Sequence, residues 1–214
     1  MILNVIKKNR KYFEAKTQSG HNCKIVIDKN SENLEIGEHN LYVDDISILP
    51  NANRYGKKLI FKLKLRAEDQ MNKDDIKLKA EYNKILVEEC HKLCGVWNKE
   101  ESVWDFPACV KAEVERLDDI FNGEVIKIDI KANEHIEVFN YFKTFMGRSL
   151  YKVSSINKGA VFYDDVELVS GGIIPTLNGS RIVKDSVIRL SMPKKLLSEY
   201  QDYIDDRFEV NILD

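Results

Sequence analysis

Residues 58–66 read KLIFKLKLR and alternate apolar and basic side chains. Successive side chains of a strand point to opposite faces. Leu59, Phe61, Leu63 and Leu65 therefore share one face, and Lys58, Lys62, Lys64 and Arg66 share the other with Ile60. The stretch predicts a half-buried strand with a basic outer stripe. It also divides the chain, because short β-type runs precede it and helical periodicity follows.

Upstream lie ILNVI, KYFEAKT, NCKIVID and NLYVDDISIL, separated by turn-rich clusters at 20–22, 29–33 and 37–40. Residues 1–56 are read as a small β-barrel or meander of about four strands. Downstream, Asp74 and Asp75 suit a helix start. Leu78, Tyr82, Ile85, Leu86, Cys90 and Leu93 have the spacing of an amphipathic helix, and Gly95 is its stop. GVWNKEESVWDFP (95–107) then reads as a tight hairpin. Pro107 opens a second helix with Val110, Val114, Leu117 and Phe121 on one stripe; Gly123 ends it, and 125–131 is a closing strand. Residues 57–132 thus form a β-α-hairpin-α-β unit.

From residue 133 onward RSLYKVSS, VFYDDVELV, SVIRLSMP and a final VNIL are β-type. A Gly/Asn/Ser-rich loop or hairpin falls at 171–181, and a helix runs from Pro193 through Tyr203. The expected fold class is α+β with three units: 1–56 β-rich and basic, 57–132 α/β, and 133–214 mostly β.

Composition limits the functional classes. The 214 residues are 43% apolar and 9% aromatic, enough for a packed core, and the net charge is −2. No run approaches a membrane span and the start lacks a signal-peptide pattern, so a cytoplasmic protein with no membrane association is expected. Cys23, Cys90, Cys94 and Cys109 are read as reduced thiols. The near-neutral total hides segregation. Residues 1–66 hold 13 Lys and Arg against 7 Asp and Glu, whereas residues 67–132 hold 10 against 16.

Two basic groups are candidate nucleic-acid contacts. One is the stripe Lys58, Lys62, Lys64 and Arg66. The other is Lys7, Lys8, Arg10 and Lys11, interleaved with Tyr12 and Phe13, a composition suited to a small barrel tracking a phosphate backbone. Trp97 and Trp104 lie seven residues apart across the hairpin, where they either stack bases or pack onto the helices. Cys90 and Cys94 share a helical face, but no second Cys pair completes a zinc set, and no metal or cofactor is expected. The chain contains no phosphate-loop, HExxH or GxSxG motif, so an enzyme is not expected.

A strand, a helix, then Gly95, Trp97, Asn98, Trp104, Phe106 and Pro107, then a second helix and strand, resemble the HARP module of annealing helicases. The resemblance covers roughly residues 57–132, without the motor domain. It implies DNA binding and adds Trp97 and Asn98 to the contacts. Together these readings describe a non-enzymatic nucleic-acid-binding accessory protein of the kind a phage or plasmid carries. Its partner is DNA or RNA, with single strands or junctions favoured. The alternative is a protein-binding inhibitor or adaptor of the anti-CRISPR or anti-restriction type, whose acidic middle segment would occupy a host nuclease's basic groove.

Overall fold

The computed structural model describes residues 1–47, 59–71, 76–139, 142–154 and 158–213. The fold is α+β and mostly strands, with a curled half-barrel sheet. Two compact units are present: Met1–Lys79 with Glu88–Arg116, and Ala80–Val87 with Leu117–Asp214. This partition differs from the three units read along the chain, because alternation reports which face a strand buries and not which strand it pairs with. Lys58, Asp74 and Asp75 lie outside the described residues.

The first unit contains β1 (Ile2–Lys8), β2 (Tyr12–Thr17), β3 (Asn22–Val26), β4 (Gly37–Asn40), β5 (Val43–Asp45) and β6 (Leu59–Leu63), in the sheet order β4-β1-β2-β3-β6-β5. The KLIFKLKLR strand is therefore the sixth strand of the N-terminal sheet, parallel to β3, and does not head a separate middle unit. β4 and β5 occupy opposite edges, yet only Leu41 and Tyr42 separate them in the chain. A flat sheet of six strands would hold its edges about 24 Å apart. The short connection spans roughly 10 Å, so the sheet must curl. Leu3, Val5, Phe13, Ala15, Ile25, Leu41, Val43, Phe61 and Leu63 fill the inside of the curl. The alternation ends at Leu63, and Leu65 is exposed.

After α1 (Ala67–Gln70) the chain forms β7 (Ile76–Leu78), α2 (Lys84–Lys92), β8 (Val96–Asn98), β9 (Val103–Phe106), a 3-10 turn (Ala108–Val110) and α3 (Lys111–Phe121). The helix expected to start at Asp74 and Asp75 begins only at Lys84. Ile76–Leu78 pairs with β9 instead, with Leu78 opposite Trp104, so hairpin pairing overrides the helical spacing. The helix starts at Asn83, whose side-chain oxygen accepts the Ile85 N–H at 2.8 Å as an N-cap. At its other end the left-handed residue is Cys94 (φ 60°). Gly95 is needed for a different reason: a Cβ there would lie 2.6 Å from the Phe106 ring.

The second unit carries β10 (Val125–Ala132), β11 (Ile136–Val138), β12 (Phe142–Phe145), β13 (Arg148–Val153), β14 (Ala160–Phe162), β15 (Glu167–Ser170), β16 (Ile173–Thr176), β17 (Gly179–Ile182), β18 (Val187–Pro193), α4 (Lys194–Glu199) and β19 (Phe208–Leu213). These strands form a four-stranded sheet, β15-β18-β10-β19, and two three-stranded sheets, β11-β17-β16 and β12-β13-β14. Ile128, Ile130, Leu150, Tyr151, Ile182, Ile188 and Leu190 form its core. The 171–181 segment is a hairpin, β16 against β17. β10, expected to close the middle unit, pairs with β18 and β19 over its whole length.

Asp205 ties this unit together electrostatically. It accepts two hydrogen bonds from the Arg207 guanidinium and one from the largely buried Lys143 ammonium, all at 2.8 Å. The Arg207 bonds, reinforced by Lys143, hold its carboxyl well below the usual range. A lowered folded-state pKa stabilises above the unfolded value of about 3.9, and that contribution is lost as pH falls below it. Asp205→Asn should cost about 1.5–3 kcal/mol at pH 7. The gap in melting temperature between wild type and variant should shrink below about pH 4. A gap that stays constant down to pH 2.5 would show that the carboxylate charge contributes nothing.

Candidate nucleic-acid interface

The outer face of the curled sheet gathers the basic residues. Strand pairing aligns Lys7, Glu14, Lys24 and Ile60 in one row across β1, β2, β3 and β6. A second row runs Asn4, Lys16, Asn22. A third holds Tyr12 opposite Val26, with Lys62 one residue beyond Phe61, the partner of Ile25. Lys7, Lys16, Lys24 and Lys62 are all exposed: Lys16, Lys24 and Lys62 point away from the core because their strand neighbours Ala15, Cys23, Ile25, Phe61 and Leu63 point in, and Lys7, past an irregularity in β1, pairs with exposed Glu14. The Lys24 ammonium lies 3.9 Å above the Tyr12 ring. Arg10 and Lys11 extend the basic surface in the turn between β1 and β2, both exposed.

Three of the basic candidates are engaged within the unit. Lys8 donates to the Glu32 carbonyl at 2.9 Å. Lys62 stands 3.6 Å from Asp28, and Lys64 stands 3.3 Å from Asp44 with its ammonium over the Tyr42 ring. Arg66 occupies the N-cap position of α1 and is exposed. Such exposed pairs are worth only about 0–1 kcal/mol, so Lys62 is easily diverted to another anion. Half-buried Lys64, held by both Asp44 and Tyr42, is less free. Among the described residues Lys7, Arg10, Lys11, Lys16 and Lys24 form no ion pair.

The tryptophan hairpin is a separate place. Trp97 and Trp104 are direct cross-strand partners on β8 and β9, with ring centroids 5.6 Å apart and edge-on. Trp104 is 7% exposed and also meets the His91 ring, whereas Trp97 is 46% exposed. Asn98 works inside the hairpin: its amide donates to Asp105 and its oxygen accepts the Glu100 and Glu101 N–H groups. The Met1 ammonium donates to the Cys94 carbonyl at 2.9 Å, so the start of β1 adjoins the chain leading into β8. β1 then runs seven residues away from that contact to Lys8, and the turn with Arg10 and Lys11 follows. The sequence candidates thus fall into the basic residues of the six-stranded sheet and the hairpin pair Trp97 and Asn98.

Cys90 is fully buried, and that burial pushes its thiol up to about 12, where a thiolate ligand is disfavoured. No family model, curated protein or solved structure matches this chain. The strands expected to flank the helices of residues 57–132 pair elsewhere, β6 with β3 and β10 with β18 and β19. Lys16 and Lys24 were missed in reading the chain as runs of like charge. The signal was present in NCKIV, where Cys23 and Ile25 point inward and put Lys24 outside.

Proposed function

We propose that this protein binds single-stranded nucleic acid across the outer face of its N-terminal sheet, as a non-enzymatic accessory protein. The observation that carries the reading is the exposure of Lys7, Lys16, Lys24 and Lys62 on one face of the sheet, with the Lys24 ammonium over the Tyr12 ring. A sheet face of this kind gives a strand both things it needs: cations for the phosphates and a flat ring for a base. When a phosphate draws Lys24 away, the Tyr12 face becomes available for stacking. Trp97, half exposed and backed by Trp104, offers a second stacking surface along the same strand. Neither contact reads base edges, which suits binding by form more than by sequence.

The test is a fluorescence anisotropy panel of single-stranded, duplex and forked DNA and RNA at several salt concentrations. Single strands and forks should bind more tightly than duplex. Lys7→Glu with Lys24→Glu should weaken binding at least tenfold and reduce the salt slope by about 1–2 without unfolding the protein. Wild type that binds none of the panel at low salt, or a folded double variant that binds as wild type does, refutes the proposal.

A further inference from the structure

The second unit contains a cleft of about 630 Å³, within the size range of ligand sites. Its charged lining is Glu81, Asp164, Asp165 and Arg148: three carboxylates against one guanidinium. Arg148 is already committed, donating to the Asp165 carboxylate and to the Ser191 carbonyl. Asp165 also accepts the Ser191 N–H at 3.3 Å, which locks that pair in place. Glu81 and Asp164 are exposed and form no ion pair among the described residues. The walls between them are aromatic. Tyr82 is 75% exposed, Tyr163 is 44% exposed, and Phe121 is half-buried with its ring 6.1 Å from Tyr200. Lys127 lines a smaller neighbouring groove that shares Asp164, Asp165 and Ser191 with the cleft, where Arg189 is held by Asp129 and Glu167.

An anionic ligand meets net repulsion in this cleft, and a neutral one leaves Glu81 and Asp164 unanswered. A cation carried on a flat group answers both features, since guanidinium pairs with carboxylates and stacks on aromatic faces. We propose that the cleft docks an arginine side chain of a partner protein's peptide, with Tyr82 and Tyr163 supplying ring faces and Glu81 and Asp164 the counter-charge. This inference is independent of the nucleic-acid interface, which lies in the first unit. It gives the protein a second, protein-directed contact.

The experiment uses the full chain and a fluorescein-labelled Gly-Arg-Gly-Arg-Gly peptide, followed by anisotropy at low salt. Saturable binding is expected, with citrulline in place of arginine weakening it at least fivefold and lysine weakening it less. Glu81→Gln with Asp164→Asn, and separately Tyr82→Ala, should each weaken the arginine peptide at least fivefold. A charge-matched control outside the cleft, Glu35→Gln with Glu38→Gln, should leave binding unchanged. Absence of saturable binding, equal affinity for the citrulline peptide, a cleft double variant that binds as wild type does, or an equal loss in the control overturns the proposal. None of these outcomes depends on whether nucleic acid binds.

Discussion

Trp104→Ala is expected to lower the melting temperature of the protein by roughly 6–20 °C, and Trp97→Ala by only a few degrees. The two rings are cross-strand partners on the same hairpin, so the contrast isolates burial from chemistry. Trp104 sits between His91 and Trp97 with 7% of its surface exposed, and its neighbour Leu78 pairs with it from β7. Removing it leaves a cavity beneath the hairpin, at a cost of about 3–5 kcal/mol. Trp97 loses only an edge-on contact worth about 0.5–1.5 kcal/mol. On the proposed function Trp97→Ala instead weakens binding to a 20-nucleotide single strand by about 1–3 kcal/mol, the cost of one lost base stack. Thermal melts and anisotropy on both variants separate these effects. Equal, large destabilisation with no distinct binding loss for Trp97→Ala would return the whole hairpin to a structural role.

Gly147→Ala should cost the second unit about 2–4 kcal/mol. Gly147 has φ 76°, a left-handed conformation that any other residue adopts at a cost. A Cβ there would also lie 2.2 Å from Asn83 Oδ1 and 2.9 Å from the Ile85 nitrogen. Asn83 is 7% exposed and works twice, donating to the Met146 carbonyl at 2.9 Å and capping α2 through Ile85. The substitution therefore strains the turn and displaces the cap at once. Asn83→Ala alone should cost about 1–2 kcal/mol as a lost cap. The double variant should fall short of the sum, because removing the carboxamide relieves the clash. Strict additivity in urea melts would mean that the cap and the turn do not meet.

Faces were legible in the chain and partners were not. Alternation in KLIFKLKLR placed Phe61 and Leu63 inside and Lys62 outside. The hairpin at 95–107, the helix after Pro107 and the final strand follow from turn residues and periodicity. These are local properties, set by the geometry of a single element. Long-range pairing alone joined β6 to β3, sent β10 to β18 and β19, and turned Ile76–Leu78 into a strand against Trp104. A strand's two hydrogen-bonding edges carry no mark of the strand they will meet.

The candidate site divides the same way. Arg10, Lys11 and Tyr12 were visible as a basic run beside an aromatic residue, and Trp97 as one of two rings across a hairpin. Lys16 and Lys24, single cations within alternating strands, joined the site only when β1, β2 and β3 came into register and set Lys24 over Tyr12. The cleft of the second unit had no trace in the sequence. Its walls come from residues as distant as Glu81, Phe121, Arg148 and Asp165, which only the tertiary fold brings to one place. Composition along the chain determined where charge was plentiful, whereas packing decided which charges remained free to act.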